Sequence, residues 1–137
     1  MKISEIKATK LSIIDNDKGP IMHALKISDN GYSKFGEIYF SEIFYGKTKG
    51  WKRHKNMTMN LVVPEGLVKF VFYDSNIDYF QEYEIGTSNY LRLTVPPGLW
   101  FAFKGLGKKN LVMNISDIEH DPLESENKNI SEIYYTW

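Results

Sequence analysis

Cysteine is absent from all 137 residues, which excludes disulfides, thiolate metal ligands and thiol nucleophiles. Charge of one sign is lacking too: Lys and Arg together number 17, as do Asp and Glu, so the formal net charge is zero. A chain so balanced has no overall basic field for nucleic acid or an anionic membrane, and any anion site has to be local. No apolar run approaches the about 20 residues of a membrane-spanning helix. The opening segment MKISEIKATKLSII places lysines and acids where a secretion signal needs an unbroken apolar stretch. These absences predict a cytoplasmic protein with no nucleic acid and no membrane among its partners. Histidine is scarce, with His23, His54 and His120 alone. No phosphate loop, dinucleotide fingerprint or Gly-x-Ser-x-Gly elbow occurs.

What the chain does have is aromatic and β-branched residues gathered in short runs. KATKLSII, IMHALKI, GEIYFSEIFY, MTMNLVV, LVKFVFYD, FQEYEIG, YLRLTV, LWFAFKGL, NLVMNISD and EIYYTW each read as a strand. Turn signals separate them, among them DNDKG, Val63-Pro64-Glu65-Gly66 and Pro96-Pro97-Gly98. One helix signal stands out, HDPLESEN, where Asp121 can cap, Pro122 suits the first helical position and Glu124 completes a capping-box spacing. A short helix over 121–126 is predicted there. The length suits one domain spanning 1–137. Many short strands with no internal repeat make it all-β, an antiparallel sandwich or small barrel.

Against this even background, TKGWKRHKNMTMN at 48–60 sets Lys49, Lys52, Arg53, His54 and Lys55 around Trp51. In a strand, alternation would send Lys52, His54, Asn56 and Thr58 one way and Trp51, Arg53, Lys55 and Met57 the other, unless a bulge intervenes. A solvated cationic loop explains such a run as well as a site does. His23 and His120 flank turns and suit structural or surface roles. Trp51 and Trp100 can stack a nucleotide base or pack in the core. Asn60 and Asn114 lie on otherwise apolar strands, where a buried amide needs a ligand or neighbouring backbone as partner.

Six segments, DNDKG, EIYFSEI, KGWKRHK, LVKFVFYD, NYLRLTVPPGLWFAF and NISDIEHDP, fall in an order that resembles the dTDP-4-dehydrorhamnose 3,5-epimerases and dTDP-sugar 3,4-ketoisomerases. The resemblance runs from about residue 8 to 122. It implies a double-stranded β-helix, the jelly-roll cupin barrel, with one short helix near the C-terminus. It implies also a homodimer and an open mouth that holds a nucleotide-activated 4-keto deoxysugar. The family's Arg-Gly-x-His-x-His-Lys element falls on Lys49 to Lys55, with Lys52 at the first histidine and His54 at the second. The resemblance turns Lys52 and His54 into the barrel and makes them the catalytic candidates. Arg53 and Trp51 of the same element, with Asn60, Asn114 and Asp117, are the substrate-binding candidates.

The chain departs from the epimerases at three further places. Phe101 stands where their Pro-x-Gly-x-x-His turn brings a histidine, and Met113 falls at the register of their catalytic tyrosine. Asp117 matches their aspartate, but the carboxylate they carry on a longer C-terminal segment has no counterpart that the resemblance can transfer. A cupin metal site wants His-x-His, a glutamate and a distant histidine. This chain offers one histidine and Phe101 there, so neither a metal nor another cofactor is expected. Two functions follow. One is a sugar 3,4-ketoisomerase or epimerase for surface polysaccharide, working by proton abstraction next to a ketone. The alternative is a non-catalytic sugar-nucleotide-binding cupin serving a glycan-assembly enzyme.

Overall fold

The structure, a computed structural model, describes residues 3–137. Its strands in chain order are β1 (Lys7–Lys10), β2 (Ile13–Ile14), β3 (Ile21–Met22), β4 (Glu37–Glu42), β5 (Thr48–His54), β6 (Met59–Glu65), β7 (Leu67–Asp74), β8 (Tyr79–Gly86), β9 (Leu91–Val95), β10 (Trp100–Gly105), β11 (Leu111–Ser116) and β12 (Ser125–Asn127). Two five-stranded antiparallel sheets form, ordered β1-β9-β6-β11-β4 and β12-β5-β10-β7-β8, with β2 and β3 paired as a small third sheet. The two large sheets face each other as a jelly-roll barrel, the fold the sequence motifs imply.

Alternation decides which residues fill the barrel. Met59, Leu61 and Val63 of β6 and Leu93 and Val95 of β9 meet Val68, Phe70 and Phe72 of β7 and Phe101 of β10 in one buried core. The other face of the second sheet is apolar as well, with Trp51, Val71, Trp100 and Ala102. It is covered by Ile133, Tyr135 and Trp137 of the C-terminal segment. EIYYTW, expected as a strand, is therefore irregular after a 3-10 turn at Ile130–Glu132. Its rings pad that face, Tyr135 lying 4.9 Å from Phe80 and Trp137 6.1 Å from Trp51.

The N-terminal strands are shorter than their apolar runs suggest. KATKLSII pairs with β9 through Lys10 and then turns away, so that Ile13 and Ile14 meet Ile21 and Met22. The residues after Met22 cross the outer face of the first sheet, where Arg92 donates to the Ala24 carbonyl and Asn60 to the Gly31 carbonyl. These bonds hold that segment as a loop. The predicted helix over 121–126 shrinks to a 3-10 turn at Pro122–Glu124, with Asp121 accepting from the Leu123 N–H as its cap. Glu124 does not close a capping box.

Candidate functional site

A cavity of about 310 Å³ opens between the sheets where β4, β5, β10 and β11 come together. Its apolar floor includes Met59, Leu61, Phe101 and Phe103, and its walls carry Tyr39, Ser41, Lys49, Lys52, Asn114 and Asn127. Among the described residues no Asp or Glu lines it.

A bulge in β5 determines what that strand presents. Phe101 pairs with Lys52 and Ala102 with Gly50, which leaves Trp51 as an extra residue in the ladder with β10. The Trp51 N–H instead donates to the Lys128 carbonyl, and its own carbonyl accepts from the Lys128 N–H, both at 2.9 Å. Lys49 stands opposite Phe103 and Lys52 opposite Phe101, so both lysines face inward despite lying three residues apart. Gly50 permits the close approach: its φ is 148°, and a Cβ there would fall 2.4 Å from the Ala102 Cβ. The Lys49 ammonium donates to the Ser41 hydroxyl at 3.0 Å and to the Glu42 carbonyl at 2.5 Å. Among the described residues no side chain pairs with the Lys52 ammonium.

His54 shares the inward face with Lys52 but sits deeper, 4% exposed, its ring stacked on Phe101 with centroids 5.8 Å apart. Its Nδ1 lies 2.5 Å from Glu124 Oε1. The other carboxylate oxygen accepts the N–H groups of Lys55, Asn56 and Met57 at 3.0 to 3.1 Å. Burial pushes the Glu124 carboxyl up, but the Asn56 and Met57 N–H groups and the adjacent His54 outweigh it and hold it below the ordinary glutamate value. An ionised Glu124 accepts from Nδ1–H and thereby leaves Nε2 as the ring's acceptor. That Nε2 is buried and, among the described residues, has no hydrogen-bond partner.

The strand expected to run on through Thr58 ends at His54, because residues 55–57 curl around the Glu124 carboxylate. Met57, expected to point outward, consequently packs in the core at 1% exposure. Glu124 is the residue that sequence reasoning assigned to a different task. Tyr39 was missed altogether, although alternation along Glu37–Glu42 puts it on one face with Ser41. Tyr39 and Asn114 meet across β4 and β11, the Asn114 Nδ2 donating to the Tyr39 hydroxyl at 2.9 Å.

Of the candidates named from sequence, Lys52, Asn114 and Trp51 line the cavity, and His54 stacks on Phe101 of its floor. Trp51 nevertheless turns its ring away, into the outer aromatic cluster, and Arg53, Asn60 and Asp117 are not part of the lining. The Trp51 ring is 1% exposed on the opposite face of the sheet, where its Nε1 donates to the Ile130 carbonyl at 3.2 Å. It packs in the core and is not available to stack on a base. Arg53 points outward as well, paired with Glu126 and lying 4.6 Å over the Trp100 ring. Asn60 is held on the outer face of the first sheet, donating to the Gly31 carbonyl and accepting from Arg92 and Thr94. Asp117 accepts the Thr58 N–H at 2.8 Å and so fastens the end of β11 to the entry of β6. Among the described residues no group of three or more His, Asp or Glu converges as metal ligands, and no helix is long and apolar enough to cross a membrane.

The structure is thus a cupin barrel with a predominantly apolar, lysine-bearing cavity and a buried His–Glu pair beside it. The chain is 33% identical to a dTDP sugar isomerase of Desulfovibrio desulfuricans G20, whose crystal structure superposes with a TM-score of 0.92 over 97% of this chain and 90% of that one. It therefore belongs to the family of dTDP-sugar isomerases and epimerases. QdtA, a sugar 3,4-ketoisomerase from Thermoanaerobacterium thermosaccharolyticum solved with TDP, shares the fold at a TM-score of 0.79 and 15% identity, over 96% of this chain and 93% of its own. The spore coat polysaccharide biosynthesis protein SpsL of Bacillus subtilis is 23% identical over 134 residues, 93% of this chain and 89% of SpsL. No family model matches the chain.

Proposed function

We propose that this protein is a sugar-nucleotide isomerase or epimerase that enolises a nucleotide-activated 4-keto deoxysugar for polysaccharide synthesis. The observation that carries the reading is the His54–Glu124 pair. An ionised carboxylate on Nδ1 fixes the tautomer in which Nε2 is basic, the arrangement a general base needs for a carbon acid. Lys52 stands on the same face and supplies positive charge for the oxygen that turns anionic as the proton leaves. The dTDP sugar isomerase at 33% identity supports the substrate class, and SpsL supports the destination in polysaccharide. Nucleotide sugars are built from nucleoside triphosphates, a cytoplasmic pool, so the cytoplasm is the compartment this reading implies.

The test is incubation with dTDP-4-keto-6-deoxyglucose in heavy water. Deuterium entering the sugar next to the ketone is the expected result, and its absence while the nucleotide binds would remove the catalytic reading. One observation favours the second reading, a binding cupin without chemistry: His54 does not line the cavity, and its Nε2 is buried.

Assembly as a homodimer belongs to the same proposal. Ile38 and Phe40 are 46% and 61% exposed on the outer face of β4, an edge strand, beside Ile115 and Met113 of β11. A second copy covering that apolar patch is the occupant argued here.

A further inference from the structure

The imidazole of His54 is not among the groups that line the cavity, whereas Phe101 is. Phe101 also stacks on that imidazole, with centroids 5.8 Å apart and planes 18° apart. The register of the sheet explains the contact. Phe101 stands opposite Lys52 in the ladder of β10 with β5, and His54 follows two residues further along β5 on the same inward face. A ring projecting inward from Phe101 therefore lies between the cavity and the imidazole. Phe101 is 8% exposed and His54 4%. On its other flank the imidazole is fixed, with Nδ1 held by Glu124, and among the described residues its buried Nε2 has no hydrogen-bond partner.

Phe101 falls where the epimerase pattern brings a histidine, and a phenyl ring there neither takes a proton nor donates one. Its effect on the site is steric. The ring also has room to move, because the cavity of about 310 Å³ adjoins it and a side chain passes between staggered χ1 wells without moving the backbone. With the ring in place, water is kept from the imidazole; with the ring swung aside, His54 and the cavity become one space. We propose that Phe101 is a gate, closed in this structure, whose displacement brings His54 into contact with whatever occupies the cavity. The inference deepens the isomerase reading above and rests on it for the role of His54.

The experiment is carbethoxylation of the intact protein by diethyl pyrocarbonate, which attacks unprotonated imidazole nitrogen, with each histidine followed by peptide mass spectrometry. His23 and His120 are exposed and serve as internal references. In the parent, His54 is expected to react roughly a hundredfold more slowly than His120, because it waits on a local opening. Phe101→Leu should speed His54 by about tenfold or more and leave His120 unchanged. Phe101→Met, which gives up the rigid ring but keeps a long apolar side chain, should fall between the two. Phe70→Leu makes the same change at a core ring whose contacts are Phe72 and Phe103, and should leave His54 protected. A parent His54 as reactive as His120 would overturn the gate, as would no acceleration in Phe101→Leu or an equal acceleration in Phe70→Leu. So would loss of deuterium uptake in Phe101→Leu with dTDP still bound, since removing a shutter cannot abolish a reaction behind it. Protection that behaves as expected, in a parent that puts no deuterium into dTDP-4-keto-6-deoxyglucose, would instead remove the catalytic reading.

Discussion

Replacing Glu124 with alanine tests whether the His54 site is held together by one carboxylate. Glu124 is 6% exposed and accepts from His54 Nδ1 and from three consecutive backbone N–H groups. The Lys55 N–H keeps its bond to the Glu124 main-chain carbonyl at 2.7 Å, and Asn56 is an exposed residue whose N–H can turn to water, so these two losses weigh little. The Met57 N–H and His54 Nδ1 are buried and would be stranded. At about 1 to 3 kcal/mol for each stranded group, Glu124→Ala should cost about 3 kcal/mol, in line with breaking other buried charged pairs. Urea unfolding followed by tryptophan fluorescence measures this. The acid side gives a second readout. The folded Glu124 value lies below its ordinary 4.5, so its contribution is complete above that pH and is lost as pH falls toward the folded value. The parent protein should therefore lose stability below about pH 4.5, and Glu124→Gln should show a flatter decline there. A Glu124→Ala midpoint matching the parent, or identical acid profiles for parent and Glu124→Gln, would refute the assigned role.

Changing His54 to Asn should abolish deuterium uptake into the sugar while leaving dTDP affinity within about tenfold, as titration calorimetry and mass spectrometry would report. Asn60→Ala should lower stability by about 2 kcal/mol through its lost bonds to Gly31, Arg92 and Thr94, with nucleotide affinity unchanged. Phe40→Glu should convert a dimer to monomer in sedimentation at micromolar concentration; a monomeric parent would refute the proposed interface.

Most of the barrel was legible because strand periodicity and turn chemistry are local. β6 to β11 fall where their apolar runs lie, and Gly66 and Gly98 take the positive φ their turns demand. EIYYTW misled for a physical reason: a segment rich in aromatics can bury them by lying across a sheet as readily as by joining it. The site was legible in part. Lys52 and Asn114, the latter marked by its amide on an apolar strand, line the cavity, and His54 stacks on Phe101 of its floor. Arg53, Trp51, Asn60 and Asp117 were not separated from them, because periodicity gives the two faces of a strand without saying which is the lumen. Glu124 was hidden by its own neighbourhood, since Asp121, Pro122 and Glu124 carry a helix-start pattern that local sequence cannot distinguish from a loop closing on a distant imidazole.

The cations that gather at 48–55 are sorted by a single inserted residue. Without the bulge, strict alternation would put Lys49 and Trp51 on one face and Gly50, Lys52 and His54 on the other. A lumen containing Lys52 and His54 would then have excluded Lys49, and the Lys49 bonds to Ser41 and Glu42 that fasten β5 to β4 would be lost. With Trp51 displaced outward onto the Lys128 backbone, Lys49 and Lys52 both reach the cavity while the indole joins Phe80 and Trp137 behind the sheet. The C-terminal segment that receives Trp51 continues from β12, whose Asn127 lies opposite Lys52 and whose Ser125 lies opposite His54. Glu124 immediately precedes that strand. Packing of the outer aromatic face and placement of the carboxylate on His54 thus depend on the same pairing of β12 with β5, so the stability of the fold and the geometry of the His54–Glu124 pair are set together.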